Sequence, residues 1–347
     1  MIEMDSVFLS YIVPCYNIEE QLPKCIESLE KQSVEGHGVE FIMVNDGSKD
    51  GTLRIIRQFS ERDSRVVVLD QENQGVCAAR NNALAIAKGE YVFFLDGDDF
   101  LTDDASQKMY EACKDNMPDI LLMNNYRISE GHPESKRLWI DQAKFIKAGI
   151  YSKDDYLAKS KIIPVSFKLY KLDLLKSNGI VFDKQLRVGE VYTFFIHCLV
   201  LADTIGVSHI PVMYYLKRAG ESATTSVNYK RDISILDTLH ILLDYVDKYE
   251  PKLKSKRSFL LPLFFMVTAF YLIKYVGRIK YNSEVGKLMN IVKQDDEYRK
   301  LLVYFTGIGA SKDKYTLLAF AIRYLPTRVA YNIISSYYKF ATRDREE

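Results

Sequence analysis

Residues Tyr91–Asp99 read YVFFLDGDD, and this stretch decides the fold. Its apolar and aromatic residues lack helical spacing, which indicates a short strand buried on both faces of a sheet. The strand ends at Asp96, Asp98 and Asp99, whose carboxylates repel one another and are costly to bury unless a cation joins them. Such oxygen ligands suit Mg²⁺ or Mn²⁺, ions that commonly hold substrate phosphates as well. The alternative is a turn of solvated acids, and Gly97 lets the backbone pass closely by its neighbours.

Strands and helices alternate ahead of this stretch. Three apolar segments read as further buried strands: FLSYIV at 8–13, EFIMV at 40–44 and RVVVL at 65–69. Helical spacing between and after them predicts three helices: 19–32, 51–60 and 75–88. Pro14 is expected to end the first strand, and Asn17 is expected to cap the first helix. This alternation predicts an α/β fold with a largely parallel sheet flanked by helices.

Polar residues gather where the predicted strands end. They form the segments PCYN at 14–17, NDGS at 45–48, NQG at 73–75 and the acids at 96–99. In open parallel sheets, ligands bind beyond the carboxyl ends of the strands, so a single site built from all these loops is expected. No GxGxxG follows the first strand and no GxxxxGK[ST] is present, which argues against a dinucleotide-binding or P-loop protein.

The later pattern changes from mixed to helical. Segments predicted after the acids are a helix at 103–116, a strand at 119–123, an apolar run at 162–170, a helical turn at 172–177, a buried helix at 190–201 and a strand at 210–216. The polar stretch 127–161 is interpreted as an irregular insertion at a sheet edge. Helices predicted in the C-terminal region cover 233–249, 259–276, 283–292, 297–305 and 317–340. The boundary is therefore placed between a domain at 1–229 and a helical region at 230–347.

Composition indicates a globular protein. The chain has 347 residues, of which 48% are hydrophobic and 27% charged, enough to bury a core in one large domain with an appendage or in two domains. Its five cysteines are scattered without CxxC spacing, which predicts reduced thiols and no zinc site. The first residues lack the pattern of a signal peptide, so a cytoplasmic protein is expected, and no nucleic-acid partner is predicted.

The C-terminal region carries most of the positive charge. From Lys230 onward there are 21 Lys and Arg against 13 Asp and Glu. The uncharged run 259–273 is shorter than the roughly 20 residues that span a bilayer, whereas 317–340 has the composition of a basic amphipathic helix. Either contact with an anionic surface on the inner face of the cytoplasmic membrane or internal packing, including packing in a homo-oligomer, would account for these patterns.

Together these motifs resemble the family-2 glycosyltransferases, nucleotide-sugar-dependent enzymes of the GT-A fold. The blocks that carry the resemblance are IVPCYN at 12–17, VNDGSKDGT at 44–52, NQGVCAARNNAL at 73–84, GEYVFFLDGDDFL at 89–101, FKLYKLDLL at 167–175, VGEVYTFF at 188–195 and YYLKRAGESATTS at 214–226. The resemblance implies a nucleotide-sugar half at about 1–125 and an acceptor half at about 126–229, followed by an α-helical extension.

The resemblance also assigns donor-binding residues. The nucleotide sugar would be held by Pro14, Tyr16, Asn17, Asp46, Gly75, Arg80, Asp96, Gly97, Lys168 and Arg218, with Asp98, Asp96 and Asp99 as metal ligands. Tyr16 would stack on the base and Asp46 would accept a hydrogen bond from it. A guanidinium at Arg80 suits a diphosphate or an acidic loop. Without the family, Tyr16 reads as a residue at a sheet rim, Asp46 as part of an Asx-type turn and Arg80 as a helix-surface residue.

The catalytic base is the weakest match. The family often has Glu-Asp before an aromatic helix, but this chain has Glu190-Val191, so Glu190 is the nearest carboxylate to deprotonate an acceptor hydroxyl. A helix-capping role for Glu190 is the alternative. The implied activity is an inverting, Mn²⁺- or Mg²⁺-dependent transfer from a nucleotide-diphosphate sugar, a UDP-sugar by resemblance, to a saccharide or lipid-linked saccharide in surface or capsular polysaccharide synthesis.

Two other functions remain open at this point. Val191 leaves room for a non-catalytic nucleotide-sugar-binding or scaffold protein. A nucleotidyltransferase would also use a parallel sheet and carboxylates, but it would carry a Gly-rich basic loop where this chain has PCYNIEE at 14–20.

Overall fold

The sheet is built around β1, Val7–Cys15, whose side chains from Phe8 to Val13 are all buried. A computed structural model describes residues 6–139, 141–159, 168–186, 188–218, 234–253, 283–296 and 322–343. In it, β1 pairs in parallel with β2, Gly38–Asp46, and with β4, Tyr91–Phe94. On the outer side of β2 lies β3, Val66–Gln71, again parallel. The three loops that follow β1, β2 and β4 therefore leave the same edge of the sheet.

The other half of the sheet is mixed. Its strands are β5, Phe100–Leu101; β6, Ile120–Ser129; β7, His132–Leu138; β8, Gly149–Ser152; β9, Lys168–Lys171; and β10, Thr204–Lys217. The order is β3-β2-β1-β4-β9-β6-β10-β5, while β7 pairs with β6 and β8 pairs with β10. Only β9 separates β4 from β6, and it is antiparallel to both. This arrangement confirms the predicted mixed, largely parallel sheet.

Helices cover this sheet and bury their apolar faces on it. They are α1, Leu22–Glu30; α2, Thr52–Arg62; α3, Val76–Ile86; α4, Ala105–Cys113; α5, Lys153–Lys159; α6, Leu172–Ser177; and α7, Glu190–Leu201. Aromatic side chains fill the core beneath them: the Tyr11 ring lies 5.8 Å from the Phe41 ring and 5.6 Å from the Phe93 ring. All five cysteines lie among the described residues as free thiols, in line with the prediction of reduced cysteines, and all are buried.

Two predictions at the end of β1 were wrong. Pro14 continues the strand and pairs with Val44, because a parallel register does not need every backbone N–H. Asn17 does not cap α1, which begins at Leu22 without a side-chain cap. Instead Asn17 has a φ of 51° and its Oδ1 accepts a hydrogen bond from the Lys49 amide at 2.8 Å. Asparagine tolerates the left-handed region, so the same residue that suits a cap suits this bridge between loops.

The stretch 127–161 is more regular than predicted. It holds the end of β6, the edge strand β7, a 3₁₀ turn at Gln142–Lys144, and β8 and α5. The sequence of β7, HPESKRL, is polar and mostly exposed, so it lacks the apolar alternation that marks a half-buried strand. The strand expected at 210–216 is also longer and starts at Thr204. Polar edge strands such as β7 are expected where a sheet must not pair with other chains.

The described residues group into two compact units. One contains Met1–Lys184 with Phe194–Gly220, and the other contains Gln185–Thr193 with Glu221–Glu347. The boundary expected at residue 229 lies outside the described residues. In the second unit, the Thr238 hydroxyl donates to the Val188 carbonyl at 2.6 Å.

The C-terminal region is helical where it is described. Its helices are α8, Ile235–Leu253; α9, Ser283–Gln294; and α10, Thr327–Arg343. The helix predicted at 317–340 is interrupted within its described part, because Pro326 lies between a helical turn and α10. The helices predicted at 259–276 and 297–305 lie outside the described residues. Among the helices that are described, none combines the length and apolar character needed to cross a bilayer.

Candidate active site

The loops that follow β1, β2 and β3 are tied together by short contacts. The Ile18 amide donates to the Thr52 hydroxyl at 2.9 Å, and the Glu19 carboxylate accepts from the Gly51 amide at 2.6 Å. Gly47 has a φ of 69°, and a Cβ there would lie 2.6 Å from the Asn73 backbone nitrogen. Only glycine therefore allows the loops after β2 and β3 to approach this closely.

The loop after β4 packs against the end of β1. A Cβ on Gly97 would lie 2.6 Å from Ile18 Cδ1 and 3.1 Å from Cys15 Sγ, so a side chain there would displace the end of Ile18. The Asp99 amide donates to the Asp96 carbonyl at 2.9 Å and closes a tight turn. In this turn one carboxylate oxygen from each of Asp96, Asp98 and Asp99 lies within 4.8 Å of the others. The structure thus brings together the three acids that the sequence singled out.

Two arginines approach this acid cluster. Arg80 of α3 is buried, and its Nη2 donates to Asp96 Oδ1 at 2.7 Å. Its guanidinium also lies 5.1 Å from the centre of the Phe182 ring. Arg218, just beyond β10, has its Nη2 3.0 Å from Asp98 Oδ2 and donates to the Asp98 carbonyl at 3.1 Å. Each arginine therefore meets a different carboxylate, and both face the strand end from which the acids project.

Asp99 plays a different part from the other two acids. It is 3% exposed, and its Oδ1 accepts a hydrogen bond from the Leu216 amide at 3.0 Å. Burial, together with the charges of Asp98 and Asp96, raises the pKa of Asp99 well above its usual range. Burial and then Asp96 also raise the pKa of Asp98, although Arg218 opposes that shift. Asp99 consequently anchors the acid loop to β10, while Asp96 and Asp98 face outward.

The donor set fits a hard divalent cation. The arginines occupy Oδ1 of Asp96 and Oδ2 of Asp98, so the second oxygen of each carboxylate is left for another positive group. Carboxylate oxygens are the ligands that Mg²⁺ and Mn²⁺ prefer. Mutual repulsion among three clustered acids is the physical reason for a cation to bind there. Asp96 and Asp98 are accordingly the residues that would hold it.

Asp46 organises the loop after β3. Its Oδ1 accepts from the Gln71 side chain and the Gln74 amide, both at 2.8 Å, and its Oδ2 accepts from the Gly75 amide at 2.9 Å. A carboxylate offers about four acceptor positions. One position on Oδ2 is therefore left by these three bonds. Gly75, with a φ of 87°, precedes α3 and so links Asp46 to the helix that carries Arg80.

The fold and these motifs can be compared with known proteins. A family model described as Glycosyl transferase family 2 matches residues 10–177. An uncharacterized glycosyltransferase of Haemophilus influenzae is 32% identical over 202 residues, which cover 56% of this chain and 73% of that protein. The chain belongs to glycosyl transferase family 2. The resemblance inferred from the sequence blocks is thereby confirmed.

Two other relatives are matched over only part of their length. The poly(ribitol-phosphate) beta-glucosyltransferase of Bacillus spizizenii is 34% identical over 218 residues, which are 61% of this chain and 33% of that protein. EpsJ of Bacillus subtilis, an uncharacterized glycosyltransferase, is 27% identical over 224 residues, 64% of each chain. The chain therefore spans a third of the first relative's length and just under two thirds of the second's.

A solved structure extends the comparison to the fold. Staphylococcus aureus TarS, crystallised in complex with UDP-GlcNAc, matches with a TM-score of 0.62 at 22% identity, covering 96% of this chain and 92% of that chain. At this identity the match establishes the fold alone. It agrees with the GT-A type expected from the family-2 motifs.

Three further residues that the family-2 resemblance assigned to the site differ in how exposed they are and where they lie. Tyr16 is 49% exposed at the rim. Lys168 is buried at the start of β9, with its Nζ 4.0 Å from the centre of the Phe195 ring. Glu190 is the first residue of α7 and belongs to the second compact unit. Its roles as base or as helix-capping acid both stay predictions.

Sequence reasoning missed several supporting groups of the site. The Leu216 amide that holds Asp99 is a backbone donor. Nearly every residue type has such a donor, so the sequence does not indicate which one binds Asp99. Gln71, whose side chain donates to Asp46, was passed over because polar residues at the end of a strand are common in any loop. Phe182, beneath Arg80, lies far from it in sequence, and only the tertiary structure brings the two together.

Proposed function

We propose that the protein is an inverting, metal-dependent glycosyltransferase that uses a nucleotide-diphosphate sugar, with a UDP-sugar as the donor. The observation that carries this proposal is the pairing of two outward-facing carboxylates, Asp96 and Asp98, with one arginine each at the end of β4. A site that combines anionic ligands for a cation with cationic side chains suits a diphosphate, which needs both a metal and direct charge neutralisation.

Departure of the nucleoside diphosphate is the step that these residues would assist. A divalent cation held by Asp96 and Asp98 would act as a Lewis acid on the diphosphate oxygens. Arg218 would lie beside the developing charge, and its second contact, with the Asp98 carbonyl, keeps its guanidinium oriented. Arg80 would fix the position of Asp96 from below. Preorganised charges of this kind stabilise a leaving group without rearranging during the reaction.

The nucleoside would lie over the loops after β1 and β2. Asp46 retains one acceptor position on Oδ2, which suits the N–H of a uracil edge. The exposed ring of Tyr16 offers a flat surface for the base. Pro14, Asn17 and Gly97 would shape this surface rather than contact the ligand through charge. A carboxylate that accepts hydrogen bonds and cannot donate them favours a base edge with an N–H, and the choice of uracil among such bases rests on the family-2 resemblance.

The acceptor hydroxyl would attack the anomeric carbon from the face opposite the diphosphate. Glu190 is the proposed base, and Lys168 is a proposed further contact of the diphosphate. The acceptor would be a saccharide or lipid-linked saccharide. The setting would be bacterial surface polymer synthesis, in keeping with relatives named as poly(ribitol-phosphate) glycosyltransferases. A cytoplasmic location, contact of the C-terminal helices with an anionic membrane surface, and homo-oligomers belong to the same proposal.

Titration of UDP into the protein with and without Mn²⁺, followed by calorimetry, tests the site. Wild-type protein should bind UDP only with the metal, and Asp98→Asn should weaken that binding by at least about tenfold because a carboxylate ligand is lost. Asp103→Asn is the matched control, since the Asp103 side chain is 82% exposed. Equal affinity of wild-type and Asp98→Asn protein would refute the assigned metal ligand.

Turnover separates an enzyme from a non-catalytic binder, the alternative that Val191 leaves open. UDP release from UDP-sugars is measured with a panel of saccharide acceptors. Wild-type protein should release UDP and transfer the sugar, and Glu190→Gln should keep donor affinity but lose about a hundredfold or more in rate. Near-normal turnover of Glu190→Gln would assign the base to another residue. Donor binding without release for any acceptor would favour the binder.

A further inference from the structure

A cleft of about 360 Å³ opens beside the acid cluster. One wall comes from the start of α1 and the residues before it, with Glu20 and Lys24. The other wall is the turn between β6 and β7, residues 128–133, and the cleft ends against Asp98 and Leu216. All these residues belong to the first compact unit. Since Asp98 is shared, a molecule in the cleft would lie next to any group held by the acid cluster.

The walls of the cleft combine apolar surface with carboxylates. Ile128, Pro133 and Leu216 supply apolar contact, whereas Glu20 and Glu130 supply hydrogen-bond acceptors. A sugar ring has the complementary surface, with hydroxyl donors around its edge and C–H groups on its faces. Sugar-binding sites need such acceptors because each buried hydroxyl must find a partner. The cleft therefore suits a saccharide better than a purely apolar molecule.

The charges of the cleft select among saccharides. Asp98, Glu20 and Glu130 are carboxylates, and Lys24 is the one ammonium among the lining residues. Lys24 is also engaged, because its Nζ lies 3.9 Å from the centre of the Phe100 ring. His132 is held by Glu134, whose Oε1 is 2.9 Å from His132 Nδ1. Arg218 offsets Asp98, which it contacts at 3.0 Å, so the remaining charges of the lining are Glu20 and Glu130 against Lys24. An anionic acceptor would thus meet more negative than positive charge.

The turn that carries Glu130 is fixed in place. The Glu130 amide donates to the Lys217 carbonyl at 2.9 Å, and the Ser129 amide donates to the Ser135 hydroxyl at 2.7 Å. Gly131, with a φ of 73°, completes this two-residue connection. Binding would therefore not have to order the turn first, a cost that flexible loops incur.

We propose that this cleft binds a neutral saccharide as the acceptor, and that Glu130 determines its selection against anionic acceptors. The inference rests on the proposed function, because the acceptor must reach the sugar of a donor bound at Asp98. It differs from what the names of the poly(ribitol-phosphate) relatives suggest, since a polyol-phosphate chain carries repeated negative charge.

The experiment first establishes donor binding by wild-type protein, using UDP-glucose and UDP-GlcNAc with Mn²⁺. UDP release is then followed with neutral disaccharides of glucose, galactose and N-acetylglucosamine, and with poly(ribitol phosphate). At least one neutral disaccharide should stimulate release more than poly(ribitol phosphate). Glu130→Gln should raise the KM for that disaccharide about tenfold, as expected for one lost charge-assisted hydrogen bond, with an unchanged KM for the donor. Glu130→Lys should shift preference towards poly(ribitol phosphate).

Glu61→Gln is the matched control, because Glu61 is an exposed residue of α2 and should leave every parameter unchanged. Absence of donor binding in the wild type would reject the proposed function itself. Three outcomes with normal donor binding would overturn the inference alone. They are a preference for poly(ribitol phosphate), no stimulation of UDP release by any neutral disaccharide, and a Glu130→Gln variant that behaves like Glu61→Gln. A Glu130→Gln effect on the KM for the donor sugar, but not on UDP affinity, would assign the cleft to the donor and also overturn it.

Discussion

The Arg80 guanidinium and the Asp96 carboxylate form an ion pair of 2.7 Å whose two members differ in exposure. The Arg80 side chain is 6% exposed and the Asp96 side chain is 45% exposed. Water can therefore hydrate the Asp96 carboxylate if Arg80 is lost, whereas it cannot easily reach the Arg80 guanidinium if Asp96 is lost. Loss of either partner removes the same contact but leaves a different charge behind.

Asp96→Asn should consequently destabilise the fold more than Arg80→Met does. The asparagine variant leaves a buried guanidinium without its carboxylate, a cost that we expect to exceed the relief of repulsion between Asp96 and Asp98. The difference between the two variants should be about 2 kcal/mol. Methionine keeps much of the arginine's length and packing against Phe182. Urea unfolding of both variants checks this order. Equal losses, or a larger loss for Arg80→Met, would show that packing rather than charge dominates at this pair.

Asn45, at the end of β2, is held by a hydrogen bond that an aspartate could not make. The Asn45 side-chain amide donates to Asp70 Oδ1 at 2.7 Å, and Asn45 is buried. Asn45→Asp would replace this donor with a second carboxylate, and the mutual repulsion would raise the folded-state pKa of the pair above its unfolded value. The variant should lose about 2 kcal/mol at pH 7, and the loss should shrink as the pH falls through that raised pKa and one carboxyl gains a proton.

The double variant Asn45→Asp with Asp70→Asn provides the control, because it exchanges donor and acceptor. It should recover most of the lost stability, as measured by urea unfolding in a double-mutant cycle. Arg57 also contacts Asp70, but that pair is well exposed and should contribute little. A double variant that is no more stable than Asn45→Asp would mean that the hydrogen bond between the two side chains is not the reason for Asn45.

The acids and arginines could be predicted from sequence because their chemistry restricts the residue type at each place. The buried strands were predictable for a similar reason, since long apolar runs have few other uses. Edge strands such as β7 were missed because an exposed polar strand and a loop have the same composition. Asn17 was misread because an asparagine that caps a helix and one that bridges two loops look alike until the tertiary partner, Lys49, is known.

Tyr214 lies at the centre of a stack that supports the acid cluster. Its ring is 4.8 Å from the Phe100 ring and 5.3 Å from the Tyr126 ring. Phe100 directly follows Asp99, and Tyr214 precedes Leu216, whose amide holds Asp99. The stack therefore holds β5 and β10 together. The acid loop continues directly into β5 and is hydrogen-bonded to β10 through the Leu216 amide.

Tyr214→Ala should lower stability by about 2 kcal/mol through lost ring contacts and should also weaken Mn²⁺-dependent UDP binding severalfold. Tyr214→Phe is the matched variant, because it keeps the stack and removes only the hydrogen bond donated by Lys136 Nζ at 3.0 Å. It should bind UDP as the wild type does. Urea unfolding and calorimetry with UDP measure the two effects. A phenylalanine variant as weak as the alanine variant would place the hydroxyl, not the ring stack, in the supporting role.

Lys168 makes stability depend on pH in an unusual direction. Burial lowers its pKa to about 7, although the face of the Phe195 ring favours the charged form and opposes this shift. Below pH 7 the lysine is charged in both the folded and unfolded states, and the full cost of burying the charge is present. As the pH rises from 7 towards the pKa of the unfolded chain, the folded protein loses the proton first, so this cost is progressively relieved.

Lys168→Met removes the titrating group while keeping an unbranched apolar side chain over Phe195. The variant should gain stability relative to wild type at pH 6, and the gain should be smaller at pH 9 by on the order of 2 kcal/mol. Urea unfolding of both proteins at the two pH values measures this difference, and Lys184→Met, at an exposed position, corrects for the general effect of pH. A gain that is the same at pH 6 and pH 9 would mean that Lys168 keeps its proton throughout, because Phe195 and the surrounding groups then offset the burial. In that case the lysine would be fully charged at neutral pH and could contribute that charge to binding of a diphosphate. If its pKa is about 7 instead, only part of the protein would carry the charge at neutral pH.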